Sequence, residues 1–337
     1  MRIAVISTAY KVTPPVGYGG IERVVHTYVE EMVRRGHDVV MFGTPGSHCS
    51  GKTVEVQAYD SSKAPSGVNS KNDAISEEPM YRAVKEYVEA NPVDLIHDWT
   101  LQQLYVRRHP ERFPFLVSSC IPLSPDAIPP NVVACSQAHS TALGSAAIPF
   151  VHYGLNLSEW IPNYEKGSHL VHIAKIARYK AQHEALIAAW RSKAELWIAG
   201  NVENRRYFNW VVNPLVKFVP KARYIGELAN TQASLRDAKA LVQTPRWLDV
   251  LPLVALESMA CGTPLIGYAS GGLMEEIQPG RNGFLARNVK ELGDAMGRID
   301  EIKPRDCREH AEEHFAVARM AADYEALAER VRDGERW

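Results

Sequence analysis

The sequence predicts an α/β protein built from two doubly wound domains in series. Three observations carry this. Short apolar, often β-branched runs alternate with amphipathic helical periods along nearly the whole chain. At 337 residues the chain exceeds one ordinary core, since domains hold roughly 100–200 residues. Its composition, 46% hydrophobic and 23% charged, is that of an ordinary globular protein.

Arg2 to Ser7 reads as a buried parallel strand. Ile21, Val24, Val25, Tyr28, Val29 and Met32 recur at the spacing of one helical face up to Gly36, and His37 to Phe42 is the next strand, so residues 2–42 form one βαβ unit. Residues 44–79, rich in Ser, Gly, Pro, Asn and Lys, are expected to be a long surface loop. A helix is predicted over 80–90, a strand over 93–97, a helix over 100–108, and short strands over 115–118 and 132–134; Pro149 to Tyr153 closes the first half. Segment 154–168 has the glycines and proline of a linker.

The second half repeats the alternation. Strands are predicted at 169–174, 195–199, 222–225, 239–243 and 264–268, with helices at 182–191, 203–213, 231–237, 253–260, 272–277 and 289–302. Residues 306–332, amphipathic through Phe315, Met320, Tyr324 and Leu327, are too long to serve one local unit and are expected to strap across both domains. Two doubly wound domains in series are expected to flank a cleft, because ligands of open α/β sheets bind at the carboxyl ends of the strands.

The formal charge of −1 provides no whole-chain field for nucleic acid or anionic lipid, so any anion site must be local. Cys49, Cys120, Cys135, Cys261 and Cys307 are an odd set without a C-x-x-C pair and read as reduced packing thiols. The apolar start at Met1 to Ser7 is too short for a signal peptide. The longest apolar stretch, Leu251 to Ala269, is interrupted by Glu257, Gly262 and Pro264, which excludes a membrane span. A cytoplasmic protein without a transmembrane segment is expected.

Gly17-Tyr18-Gly19-Gly20 lies between the first strand and helix, where bare backbone amides at a helix N-terminus suit a phosphate or sugar; the alternative is a plain turn. It is no dinucleotide fingerprint. About ten residues separate it from the strand, Glu22 stands where a third glycine belongs, and Gly43-Thr44-Pro45 lacks the ribose-binding acid. The richest stretch is Asp249 to Pro264. A loop carboxylate, Asp249, precedes a helix opening at Pro252, and Glu257 sits within it among Val254, Leu256 and Ala260. A carboxylate in such company needs hydrogen-bond donors, which a vicinal diol supplies; a buried Lys or Arg partner is the other reading.

This stretch resembles the Glu-x7-Glu signature of the retaining glycosyltransferases of family 4, the group 1 glycosyl transferases, with Asp249 in place of the first Glu. Further similarity lies in Gly271-Gly272-Leu273-Met274-Glu275, Pro279 to Leu285, His314-Phe315 through Tyr324, Gly19 to Arg23 and Arg35 to Val39. The resemblance implies the GT-B fold, with an acceptor-side domain at 1–154, a nucleotide-sugar domain at 155–310 and a C-terminal helix, 311–337, returning to the first domain. It implies that Lys175 and Lys180 hold the donor diphosphate, although Lys for Arg loses a bidentate fork; Ala174 and Ala181 stand where the family shows glycines, and Arg178 is near enough to join. Glu257 would accept from the ribose and Asp249 from the transferred sugar, with Leu253, Gly271, Gly272, Gly19 and Gly20 also on the donor. His97 matches one histidine of a His-x-His pair facing the sugar, and Trp99 replaces the other; a core histidine is the alternative. Pro252 replaces a common Gly and removes an amide donor.

The implied catalytic set is therefore Asp249, His97, Lys175 and Lys180, acting without a cofactor. The implied partners are a UDP- or GDP-linked sugar and a carbohydrate, lipid or small-molecule acceptor, with no nucleic acid. No Asp-x-Asp occurs, and His310 and His314, four apart around Glu312-Glu313, read as a solvated face, so no metal is expected. Two other functions fit the same motifs: a nucleotide-sugar epimerase, and a sugar-nucleotide-binding protein without turnover.

Overall fold

A computed structural model of the chain describes residues 1–57, 76–112, 114–124 and 127–337. It divides into two compact units, Met1–Gly154 with Val317–Trp337, and Leu155–Ala316.

The first unit is a parallel six-stranded sheet: β1 Arg2–Ile6, β2 Asp38–Gly43, β3 Lys52–Glu55, β4 Leu95–Asp98, β5 Phe115–Ser118 and β6 Val132–Val133, in the order β3-β2-β1-β4-β5-β6. The helix Gly20–Arg34 buries Val24, Val25, Tyr28, Val29 and Met32, the stripe its sequence foretold. The helix Val317–Arg332 completes this unit. Tyr324 bonds Ser118 on β5 at 2.8 Å, and Arg35 and His37 hold the Glu325 carboxyl down at about 2.

The second unit is also parallel and six-stranded: β7 Leu170–Ile173, β8 Leu196–Ala199, β9 Ala222–Tyr224, β10 Ala240–Gln243, β11 Leu265–Tyr268 and β12 Gly283–Ala286, in the order β12-β11-β10-β7-β8-β9. Counted within each unit, both sheets run 3-2-1-4-5-6. The strand order therefore reverses between β1 and β4 in one and between β7 and β10 in the other, which is where such sheets receive ligands.

Five expectations are corrected. β3 lies inside the stretch read as loop; residues 58–75 of that stretch fall outside the described residues. β12 and the helix Gln137–Ala142 were not anticipated. The helix expected from Thr100 begins only at Leu104, because the preceding polar groups are taken: Asp98 accepts from the Thr100 amide and hydroxyl, and Glu77 from the amides of Leu101 and Gln102. The helix expected over 203–213 is composite, with a π turn at Phe208–Val212 between Arg205–Tyr207 and Asn213–Phe218. Residues 306–332 are two helices, Pro304–His314 and Val317–Arg332, and the break is fixed by Leu155 N–H donating to the Phe315 carbonyl at 2.8 Å.

Candidate active site

In the second unit the loops leaving β7 and β10 meet. Lys180, in the β7 loop, makes an ion pair with Asp249, in the β10 loop; both side chains are largely buried. Thr244, at the end of β10, places its hydroxyl 2.9 Å from the Lys180 carbonyl and 3.2 Å from Nε2 of His172, fastening one loop to the other. His172 is enclosed, and burial with Lys180 nearby pulls its pKa down to about 4, so it acts as a neutral strut. Lys175 pairs with Glu203, from the loop after β8, at 3.1 Å. The same carboxylate accepts from the Tyr179 hydroxyl at 3.0 Å. Tyr179 meets Trp247 edge-on, and Trp247 lies 5.2 Å from the Lys180 ammonium. Lys175, Lys180 and Asp249 thus belong to one connected cluster at the strand-order reversal.

Behind Asp249 the backbone is doubled. A Cβ on Gly271 would lie 2.2 Å from the Asp249 carbonyl oxygen, and one on Gly272 2.5 Å from that of Val250. Gly271 also has φ +56°, so the Gly-Gly pair is required by close approach as well as by conformation. The Gly272 amide donates to the Asp249 carbonyl at 2.9 Å, fixing the height of the loop. Pro252 is the N-cap, not the first helical residue, and no side chain caps the helix Leu253–Ala260. The Ala255 amide donates back to the Pro252 carbonyl at 2.9 Å, and the amides ahead of it, beginning at Leu253, stand at the positive end of the helix dipole.

Glu257 is buried one turn further along that helix, and its partner is the Thr231 hydroxyl, donating at 2.7 Å. Arg178 turns aside, its guanidinium 5.8 Å from the Tyr207 ring centre. Ala181 holds φ 49° and ψ 44°, a left-handed geometry that favours glycine.

The N-terminal residues of the predicted set lie in the other unit. Gly19 is the N-cap of the helix opening at Gly20, and its hydrogen faces Pro15, whose Cβ would be 2.5 Å from an added methyl. His97 is placed differently from its expected role. It is wholly buried on β4, one residue before the strand ends, bonded to Ser118 at 2.8 Å, with the ring centres of Tyr28, Trp99 and Tyr324 4.7–4.9 Å from its own. Burial pulls its pKa down to about 3. The ring is a neutral core group, and Trp99, also buried, offers no open face for a sugar.

Two acids, Glu203 and Glu276, went unnoticed in the sequence, and a third, Glu313, reads there only as part of a solvated face. Glu203 was invisible because its partner is 28 positions away in the chain. Glu276, fully buried with neither oxygen hydrogen-bonded, is driven well above the usual carboxylate range by burial and by Asp249 and Glu275; its place beside Glu275 was the available signal. Glu313 brings a third ligand atom to His310 and His314, all within 4.8 Å of one another. Spacing alone did not reveal it, and its carboxylate is already held by Arg281 at 2.8 Å.

Residues 167–301 match the family model described as Glycosyl transferases group 1. The chain is 26% identical over 366 aligned positions to a glycogen synthase of Mycobacterium tuberculosis, covering 89% of this chain and 86% of that one. A D-inositol 3-phosphate glycosyltransferase of Nocardioides sp. is 37% identical over 90 residues, 26% of this chain and 19% of the relative. Among solved structures, AviGT4, a glycosyltransferase involved in avilamycin A biosynthesis, superposes with a TM-score of 0.78 at 20% identity over 100% of this chain and 99% of its own. Anabaena Alr3699/HepE, solved in complex with UDP-glucose, gives 0.73 at 16% identity over 98% and 100%. No helix among the described residues is long and apolar enough to cross a membrane. Residues 167–301, which include the cluster, thus match the group 1 glycosyl transferases, the chain is similar along most of its length to a glycogen synthase, and its two parallel six-stranded sheets are those of the GT-B fold.

Proposed function

We propose that the protein is a retaining, metal-independent glycosyltransferase that takes its sugar from a nucleoside diphosphate, UDP or GDP, and passes it to a carbohydrate, lipid or small-molecule acceptor received by the first unit. The reading rests on the Lys180–Asp249 pair at the reversal of strand order, backed by Gly271-Gly272 and by the uncapped helix at Leu253. The likeness to a structure solved with UDP-glucose supports the donor class.

Lys175, Lys180 and the amides near Leu253, Gly271 and Gly272 hold the diphosphate. As the anomeric carbon–oxygen bond breaks, negative charge grows on the leaving phosphate, and donors aimed there lower the barrier more than they stabilise the ground state. The acceptor oxygen attacks from the same face, and its proton passes to the departing phosphate oxygen. Configuration is kept and no separate base is needed, so the buried His97 is not called upon. Asp249 accepts from hydroxyls of the transferred sugar while its ion pair with Lys180 holds it in place. Glu257, which now accepts from Thr231, takes the ribose hydroxyls. No divalent ion or other cofactor takes part, in keeping with a sequence that lacks Asp-x-Asp. The enzyme works in the cytoplasm, consistent with five free cysteines.

A thermal-shift panel of uridine, guanosine and adenosine diphosphates and their sugars identifies the base, because a ligand that binds the native state raises its melting temperature. Glu257→Gln is expected to weaken the selected nucleotide-sugar at least roughly tenfold in calorimetry, the scale of a lost charge-assisted hydrogen bond. Unchanged binding removes Glu257 from the ribose.

A further inference from the structure

We propose that the β8–β9 edge of the second unit docks on an anionic lipid bilayer. The chain as a whole is nearly neutral, but residues 190–223 hold seven Lys and Arg against two Glu. Both acids are occupied: Glu195 accepts from the Trp197 indole at 3.0 Å, and Glu203 holds Lys175. Arg191, Lys193, Arg205, Arg206, Lys217 and Lys221 are exposed, and among the described residues none has a carboxylate in ion-pair range. Elsewhere in the unit exposed cations are commonly paired, as with Lys239 and Asp300, Arg287 and Glu291, and Arg298 and Glu301. A surface that keeps its cations uncompensated in one region is prepared for a polyanion.

The same region carries large apolar side chains in water. Trp210 is 81% exposed, Phe218 66% and Trp190 50%. Arg206, Trp210, Pro214 and Phe218 recur every four residues and are all exposed, so they form one outward stripe of the composite helix 205–218. Its inward side is Tyr207, Val212 and Val219, all in the core of the unit. Trp190, at the end of the helix Gln182–Ser192, joins the stripe with its ring centre 6.0 Å from that of Phe218. Trp210 sits in the middle of the π turn, a feature that often marks a functional segment of a helix.

Two properties select the occupant. Uncompensated positive charge opposes pairing with the same patch of a second copy, since like charges would face each other. Projecting indole and phenyl rings beside Lys and Arg suit the boundary between headgroups and acyl chains, where the rings insert while the cations hold lipid phosphates. An inorganic polyphosphate or an acidic peptide would satisfy the cations and leave Trp210 and Phe218 in water. The inference uses no residue of the donor cluster and stands apart from the assignment of that cluster.

The test is flotation of the full chain with vesicles. Binding is expected to phosphatidylglycerol/phosphatidylcholine vesicles at low salt and not to pure phosphatidylcholine. Joint Lys217→Glu and Lys221→Glu replacement is expected to weaken it by roughly thirtyfold or more, each basic residue near an anionic surface contributing about fivefold. Joint Trp210→Ala and Phe218→Ala replacement is expected to weaken it about tenfold without altering its salt dependence. Lys290→Glu, on another helix of the unit, is the control and leaves binding unchanged. Melting temperatures and donor-nucleotide binding report folding, and joint Arg205→Gln and Arg206→Gln replacement serves if a reversal fails to fold. Three results overturn the proposal: no flotation on anionic vesicles, equal flotation of parent and patch variants, or a patch-dependent preference for a short single-stranded oligonucleotide. Self-association without lipid that the same replacements abolish overturns it too, by assigning the surface to a second copy.

Discussion

The two units share a strand order and treat the point where it reverses in opposite ways. Between β7 and β10 the loops present Lys175, Lys180 and Asp249 over a doubled backbone. At the matching end of β4 the chain turns His97 and Trp99 inward, and Tyr28 and Tyr324 close around them. Topology supplies a place where strand ends diverge. Whether that place receives a ligand depends on whether charged groups or aromatic rings are put there.

The contrast is most directly broken through the cations. Lys180→Ala is expected to lower sugar transfer per folded molecule by about 100- to 1,000-fold, the cost of removing one donor aimed at developing charge, and to lower the melting temperature as well, because Asp249 is left buried and unpaired. A fall below tenfold would dissolve the distinction between the two reversal points. His97→Ala should show a different profile: about 2–4 kcal/mol of stability lost in denaturant unfolding, from the cavity and the lost hydrogen bond to Ser118, and turnover per folded molecule nearly unchanged. Intact stability with abolished turnover would return His97 to the reaction.

A smaller effect comes from pH. Burial, with Glu77 nearby, raises the Asp98 carboxyl to about 7, and burial raises Glu77 as well. For an acid whose native pKa lies above its unfolded value, the stabilising contribution is complete below about pH 4 and is lost as pH climbs through 7. The first unit should therefore lose about 1–3 kcal/mol between pH 5 and pH 8. Asp98→Asn, which keeps an acceptor for Thr100 and replaces the unbonded oxygen, should flatten that slope in pH-dependent unfolding. The smallest effect sharpens the second unit: Ala181→Gly relieves a left-handed alanine and should gain up to about 1 kcal/mol, measurable as a rise in melting temperature at unchanged donor affinity.

The alternation of strands and helices was legible because buried parallel strands and one-sided helices leave different periods in the sequence, as at Arg2 to Ser7 and Val24 to Met32. β3 escaped because Lys52 and Glu55 make it look like solvent-exposed chain, and β12 because four residues after a Pro-Gly turn carry no period. The break at Phe315 was hidden by the burial of Phe315 itself, which continues the apolar rhythm while its carbonyl accepts from the amide of Leu155, far away in the chain. At the site, Lys175, Lys180 and Asp249 could be named from local motifs. Their pairing with Glu203 and with each other is a property of loops far apart in the chain. The sequence left His97 open between a sugar contact and a core histidine for the same reason, since the rings enclosing it include Tyr28 on one side and Tyr324 on the other.

That last enclosure bears on how the molecule is made. Tyr324 and the Trp337 indole, which donates to the Val132 carbonyl at 2.7 Å, are the final walls of the unit that is translated first. A nascent chain leaving the ribosome can finish its second unit, which is contiguous, while the first still waits for its closing helix. Biogenesis of the aromatic cage is thereby postponed until the helix that follows the second unit has been made, and chaperone demand should fall on the amino-terminal half.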